Sequence, residues 1–96
     1  MRRRYIVCYD IADPKRLVKT FKKMKGFGDP LQKSVFTCDL SPTEKAMLIA
    51  ALTEIMNLKE DSVILVDTGQ VGSKRDTLEY LGIPVLPTEG AAAVII

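Results

Sequence analysis

Residues 4–10 read Arg-Tyr-Ile-Val-Cys-Tyr-Asp, and this stretch decides the fold. Its β-branched and aromatic side chains favour a strand, and its apolar content is typical of a central strand covered on at least one face. Asp13-Pro14 follows after a short interval. Asp13 can accept hydrogen bonds from the free amides of a helix, and Pro14 suits the first helical position. The chain therefore begins with a strand that leads directly into a helix.

The predicted first helix has two different sides. Leu17, Phe21 and Met24 recur at spacings of four and three, with Val18 beside them, so they form one apolar stripe. Gly26 supplies the C-terminal stop. The other side of this helix is basic and carries Lys15, Lys19, Lys22 and Lys23.

Two strands and a second helix are predicted next. Residues 26–30 form a turn or loop, a short strand begins near Leu31, and residues 34–39 form a clear strand. Ser41-Pro42-Thr43-Glu44 is a capping box with proline at the first helical position, so it marks the start of a helix. The apolar positions of that helix are Met47, Leu48, Ala51, Leu52, Ile55 and Met56.

The remaining elements complete a familiar pattern. Residues 62–67 read as a strongly β-prone strand, residues 68–76 as a polar loop, and residues 77–81 as a last short strand. This order predicts an α+β fold of the ferredoxin-like βαββαβ type. Its antiparallel sheet has two helices on one face, and a short C-terminal strand and a tail follow. The fold alone does not identify a function.

The domain organisation is simple. A chain of 96 residues is expected to form one domain, here residues 1–82, and residues 83–96 form a C-terminal tail. We expect this tail to lack a strand partner of its own. Its apolar residues would otherwise be exposed, so we expect them to dock on a second subunit in a homodimer. They are Val85, Leu86, Val94, Ile95 and Ile96.

Composition excludes several classes of protein. The 47% of hydrophobic residues excludes a disordered chain, and the absence of histidine excludes histidine general bases and zinc sites that use histidine. Asp10 interrupts the apolar run that follows the N-terminal arginines, so no signal peptide or membrane segment is expected. Cys8 and Cys38 are expected to be buried, reduced thiols. We therefore expect a cytoplasmic protein that does not bind a membrane.

The net charge of +2 hides an uneven distribution, because six basic residues and no acidic residue lie between positions 15 and 25. Such a block indicates a polyanionic partner, although a basic helix face can also serve solubility alone. The crowding favours sequence-independent nucleic-acid binding. The residues that we expect to bind nucleic acid are Lys15, Arg16, Lys19, Lys22 and Lys23.

Asp10 ends the first predicted strand, where a catalytic acid or a metal ligand could be displayed. An ordinary aspartate that caps the following turn would show the same pattern. One carboxylate cannot enclose a metal ion, but Mg²⁺ commonly uses one or two carboxylates together with water and substrate phosphate. A two-fold dimer that brings two Asp10 side chains together would supply that pair.

In combination, these segments resemble the CRISPR-associated endoribonuclease two family, the small core proteins of spacer acquisition. The resemblance covers roughly residues 4–82 and does not extend to the tail. It is specific because the segments occur in order and at the family's spacing. They are Tyr5-Ile6-Val7-Cys8-Tyr9-Asp10-Ile11, Arg16, Gly26 to Gly28, Gln32-Lys33-Ser34-Val35-Phe36-Thr37-Cys38 and Asp61-Ser62-Val63.

The resemblance implies a ferredoxin-like dimer whose C-terminal strand adds to the sheet of the partner subunit. It also implies that Asp10 is both the catalytic residue and the Mg²⁺ ligand of an endonuclease that cuts RNA and/or double-stranded DNA. Some members of the family instead bridge two integrase dimers without catalysis. The resemblance therefore supports a component of the spacer-integration complex with a CRISPR integrase subunit as its partner, and leaves both functions open.

Overall fold

The structure is a computed structural model that describes residues 1–72, 78–82 and 93–95. The order of elements through the fourth strand is the predicted one. The elements are β1 (Arg3–Asp10), α1 (Pro14–Met24), β2 (Asp29–Gln32), β3 (Val35–Leu40), α2 (Pro42–Ile55), β4 (Ser62–Gln70), β5 (Leu78–Tyr80) and β6 (Ala93–Ile95).

Strands β1 to β4 form one sheet in the spatial order β2-β3-β1-β4, and every neighbouring pair is antiparallel. β1 is central, with Tyr5 opposite Cys38 of β3 and Asp10 opposite Ser62 of β4. The predicted ferredoxin-like α+β fold, with two helices packed on a four-stranded antiparallel sheet, is confirmed.

The core lies between one face of this sheet and the two helices. Alternate side chains of β1, namely Tyr5, Val7 and Tyr9, are buried in one cluster with residues of α1 and α2. The intervening side chains of β1 lie on the opposite face, since side chains alternate along a strand. We call this second side the open face, and its apolar residues include Ile6, Cys8, Val35, Ile64 and Val66. Ile64 keeps 60% of its surface exposed.

Both helices begin at the residues that the sequence predicts. The carboxylate of Asp13 accepts a hydrogen bond of 2.9 Å from the backbone N–H of Arg16. In α2, the Ser41 hydroxyl accepts from the Glu44 N–H at 3.1 Å, and the Glu44 carboxylate accepts from the Ser41 N–H at 2.9 Å. Each cap satisfies amide groups that the first turn of a helix leaves unpaired.

The predicted apolar stripe of α1 is only partly correct. Met24 is fully buried, but Leu17 and Val18 keep 39% and 53% of their surface exposed. Thr20 is buried instead, because its hydroxyl donates a 2.8 Å hydrogen bond to the backbone carbonyl of Arg16 and so needs no partner outside the helix. The core-facing side of α1 is therefore rotated away from the predicted stripe.

Gly28 lies where the chain leaves α1 and approaches β3. A β-carbon at this position would overlap the backbone oxygen of Thr37 and would lie 2.6 Å from the sulfur of Cys38. Only a residue without a side chain allows this close approach.

The two cysteines are free thiols in different environments. Cys38 is fully buried, and burial raises the pKa of its thiol to about 12. Cys8 is only half-buried and lies on the open face. The prediction of a buried thiol is therefore confirmed for Cys38 and wrong for Cys8, whose position on β1 alternates with the core residues.

The C-terminal region differs from the prediction in one respect. β5 pairs with β6 in parallel, and the two form a separate two-stranded sheet. The expectation that the tail lacks a strand partner of its own is therefore wrong for residues 93–95. The other tail residues, 83–92 and 96, lie outside the described residues, and docking of the tail on a second subunit stays a prediction. Neither helix of the described chain is long and apolar enough to span a bilayer.

Candidate catalytic and nucleic-acid-binding site

Asp10 is the last residue of β1, and its side chain is exposed. Its neighbour across the sheet is Ser62, the first residue of β4. Asp10 is an even number of residues from Ile6 and Cys8, and side chains alternate along a strand, so its Cβ projects toward the open face. The central strand of the sheet therefore presents a carboxylate at its end, next to the loop that leads into α1.

That loop is held by Asp61, whose side chain has no exposed surface. The Asp61 carboxylate accepts backbone hydrogen bonds from Ala12 at 2.9 Å and from Asn57 at 2.8 Å. It also accepts from Nε of Arg16 at 2.9 Å and from Nη2 at 3.2 Å. The Arg16 guanidinium, together with the two backbone amides, holds the pKa of Asp61 well below its usual range. Asp61 thus ties the β1–α1 loop to the α2–β4 loop.

Arg16 is placed differently from the other predicted nucleic-acid-binding residues. Its side chain is 24% exposed and pairs with Asp61, and Glu60 lies 3.5 Å from Nη2. Its predicted contact with nucleic acid stays a prediction, but its position assigns it first to holding the loop. Sequence reasoning missed Asp61 as its partner, because 45 residues separate the two in the chain.

The predicted lysines of α1 are all exposed, and no ion pair joins them to an acid within the described part of the chain. They are Lys15, Lys19, Lys22 and Lys23, and we call them the α1 lysines. Their charges are therefore available to a polyanion.

The arginines at the N-terminus are in a different situation, because each pairs with a carboxylate. The pairs are Arg2–Glu44 at 3.2 Å, Arg3–Asp67 at 2.8 Å and Arg4–Asp39 at 2.7 Å. The structure thus distinguishes the N-terminal arginines, whose charges are neutralised, from the α1 lysines, whose charges are not.

A groove of about 650 Å³ adjoins Asp10 between α1 and the β2–β3 turn. Its apolar lining includes Tyr9, Leu17, Val18 and Phe21, and Lys22, Lys25 and Lys33 line it as well. We call it the α1 groove. The Tyr9 hydroxyl donates a 2.9 Å hydrogen bond to the Lys33 carbonyl, and burial raises the pKa of Tyr9 to about 12. Tyr9 therefore acts as a neutral, fixed wall of the groove.

Among the described residues, Asp10 is the acid of this site that we predict to bind a metal ion. The described residues contain no cluster of three or more cysteine, aspartate or glutamate side chains that could enclose an ion. An exposed carboxylate at a strand end is nevertheless a hard oxygen donor, and Mg²⁺ is commonly held by one or two such groups. The donor chemistry of one Asp10 per subunit fits Mg²⁺ better than a softer metal.

The family model of the CRISPR-associated protein Cas2 matches residues 1–75. The chain belongs to the Cas2 family. Two curated relatives are each 36% identical over 91 residues, or 95% of this chain. Both are named CRISPR-associated endoribonuclease Cas2, one from Rhodospirillum rubrum and one from Geobacter sulfurreducens, and the matches span 89% and 96% of their lengths.

Solved structures place the fold in the same family. A crystal structure of cas2 is 26% identical with a TM-score of 0.75, and the match covers 93% of this chain and 97% of that one. A hypothetical protein from Thermus thermophilus is 31% identical, also with a TM-score of 0.75, and the match covers 92% of this chain and all of that one. Within this Cas2 fold, Lys22 lines the same groove as Asp10.

Proposed function

We propose that this Cas2 protein is a metal-dependent endonuclease of CRISPR adaptation that acts on RNA and/or double-stranded DNA. The observation that carries the proposal is Asp10, an exposed carboxylate at the end of the central strand, beside a helix with uncompensated lysines. Relatives that are named endoribonucleases support the same activity. A cytoplasmic location stays a prediction.

The active form that we propose is a homodimer joined through the open face. The apolar side chains of this face, such as Ile64 and Val66, are 60% and 47% exposed, and burying such a surface favours association. Asp10 points to this face, so a two-fold axis near the end of β1 would bring two carboxylates together. These two side chains would hold one Mg²⁺, which supplies polarisation of the scissile phosphate and a lower pKa for an attacking water.

The other residues of the site bind the nucleic-acid strand or hold the β1–α1 loop. The α1 lysines bind backbone phosphates without reading the sequence, because a phosphate carries no base information. Asp61 and Arg16 hold the β1–α1 loop through hydrogen bonds, so we expect the backbone that follows Asp10 to keep its conformation when a substrate binds. A carboxylate held in place needs little reorganisation at the moment of reaction.

A second function is favoured by the scarcity of metal ligands. Asp10 has no neighbouring acid in a ligand cluster of the described residues, whereas the α1 lysines need no metal to hold DNA. In this alternative, the protein is a structural, DNA-binding subunit of the spacer-integration complex. It bridges two dimers of the CRISPR integrase. Both functions use the same lysines, and only the first uses the charge of Asp10.

The deciding experiment compares wild type and Asp10→Asn in a cleavage assay with Mg²⁺ on single-stranded RNA and duplex DNA. Loss of both carboxylates of a dimer should lower the cleavage rate by orders of magnitude while nucleic-acid affinity is kept. Ser62→Ala, at the neighbouring position on β4, is the matched control. Cleavage by Asp10→Asn at the wild-type rate refutes the enzymatic role. An integration assay with the integrase subunit then tests the bridging role in the same variant.

A further inference from the structure

The α1 groove contains apolar residues that the fold does not bury. Leu17 and Val18 lie on the side of α1 that its sequence pattern predicts to be apolar and buried, yet they are 39% and 53% exposed beside the groove. Exposed aliphatic side chains that line a concave site provide apolar surface for a ligand. The groove therefore has the character of a binding site.

The aromatic walls of the groove are rigid. The ring of Phe21 packs edge-on against Phe36 with 5.4 Å between centroids, and Tyr9 lies 6.2 Å from the same ring. Phe36 is fully buried in the core, so it fixes the positions of the Tyr9 and Phe21 rings that pack against it. Tyr9 itself is only 5% exposed, so the ring surface open to a ligand is mainly that of the partly buried Phe21.

The charges of the groove are mostly of one sign. Lys22, Lys25 and Lys33 line it, and Asp10 is the one acid among its described lining residues. The Lys25 ammonium lies 5.5 Å from the centre of the Phe21 ring, so a positive charge is held next to an aromatic wall. An apolar and aromatic surface with a cationic lining suits a flat apolar body attached to an anion.

We propose that the α1 groove binds one unstacked nucleobase of a single-stranded nucleic acid, with the adjoining phosphates on Lys22, Lys25 and Lys33. This inference rests on the proposed nucleic-acid function and adds a base subsite next to Asp10. A base inside a duplex is stacked on both sides and cannot enter the groove. The subsite therefore selects single strands, and it tolerates any base because apolar and aromatic contacts use the face of the ring.

An apolar segment of a protein partner could fill the same volume, but the charges favour the nucleic acid. A protein segment would have to carry several acidic residues to match three lysines, whereas every nucleotide brings a phosphate. The two occupants predict different effects of removing a single base, and this difference is the basis of the test.

The test measures binding without metal, so that it does not depend on cleavage. Fluorescence anisotropy in EDTA compares a short single-stranded RNA of full sequence with the same strand carrying abasic sites. Wild type should bind the full strand about 5- to 160-fold more tightly, the range expected for one base–aromatic contact. The Leu17→Asn, Val18→Asn double variant should lose this preference and keep its salt dependence. The matched control is Met47→Asn, Ile49→Asn, at exposed apolar positions of α2.

The outcomes separate the subsite from the function on which it rests. Equal affinity of wild type for the full and abasic strands overturns the base subsite and leaves the phosphate contacts of the α1 lysines intact. A preference that survives in the Leu17→Asn, Val18→Asn variant also overturns it. The base subsite is also overturned if the Leu17→Asn, Val18→Asn variant differs from wild type only in oligomeric state or in integrase binding. Such a result would show that the groove binds a protein. Failure of wild type to bind either strand overturns the proposed function as well.

Discussion

Replacing three α1 lysines at once should change how binding depends on salt. In the variant Lys19→Gln, Lys22→Gln, Lys23→Gln, each substituted side chain is exposed and free of ion pairs among the described residues. No buried carboxylate loses its partner, and glutamine is about as good a helix former as lysine. We therefore expect the fold and its stability to be unchanged, so any effect on binding reports the lost charges.

The expected magnitude follows from counterion release. Each lysine that neutralises a phosphate adds about 0.9 to the slope of log affinity against log salt on duplex DNA, and about 0.7 on a single strand. The triple variant should therefore show a slope that is shallower by about 2.7 on a duplex and about 2.1 on a single strand. At about 0.1 M salt, a slope of 0.9 corresponds to roughly an eightfold loss of affinity per lysine.

The assay is a fluorescence anisotropy titration at several salt concentrations on duplexes of unrelated sequence. The loss should be the same for every sequence, since contacts with phosphate carry no base information. Lys59→Gln is the control, because Lys59 is an exposed lysine outside α1. A slope that the triple variant leaves unchanged refutes the reasoning. An equal change in Lys59→Gln would show that net charge, and not the surface of α1, determines binding.

Three further predictions concern the loop clamp, the thiols and the turn after α1. Asp61→Asn should destabilise the protein at neutral pH. Because the pKa of Asp61 is lowered in the folded protein, its contribution to the free energy of unfolding is present above about pH 4 and is lost as the pH falls further. The unfolding curves of wild type and Asp61→Asn should therefore converge in acid. Equal stability at pH 7 in a denaturant titration would contradict this. Cys8 should react with a thiol reagent faster than Cys38, whose buried thiol has a pKa of about 12, and Cys8 should become protected at protein concentrations that favour the dimer. Concentration-independent labelling of Cys8, checked against sedimentation, would count against an interface on the open face. Gly28→Ala should lower the melting temperature markedly, because the new β-carbon overlaps the backbone oxygen of Thr37. Gly26→Ala should lower it less, because its new β-carbon would lie 3.3 Å from the backbone oxygen of Lys23. Equal melting temperatures for the two variants would show that the backbone can move.

The elements of the fold were predictable because their signals are local. Asp13 and Ser41 each lie one residue before a proline at a helix start, and each accepts the predicted backbone hydrogen bond. The β-branched and aromatic content of β1 predicts a strand in the same way, since these residues follow one another without a turn residue. The place of Asp10 at the end of that strand is also a local signal, but its role as catalytic residue and metal ligand follows from the family resemblance and stays a prediction.

The parts that could not be predicted depend on distant contacts. Asp61 and Arg16 are 45 positions apart in the chain, so no local pattern predicts their contact. The exposure of Leu17 and Val18 depends on how α1 rotates on the sheet, and no local pattern determines that angle. No short hairpin turn marks the parallel pairing of β5 with β6 in the sequence, because a two-residue hairpin joins only antiparallel strands.

The position of Asp10 on the open face predicts how wild-type and Asp10→Asn subunits would behave when they are mixed. Asp10 lies on the same side of β1 as Ile6 and Cys8, so in the proposed dimer, with its two-fold axis near the end of β1, each subunit would contribute one aspartate to the same site. A subunit with Asp10→Asn would still associate, and a mixed dimer would have half of its carboxylates. An inactive copy expressed beside the wild type should therefore be dominant over it. Diluting the wild-type protein should lower its activity per molecule, because the proposed site is complete only in the dimer.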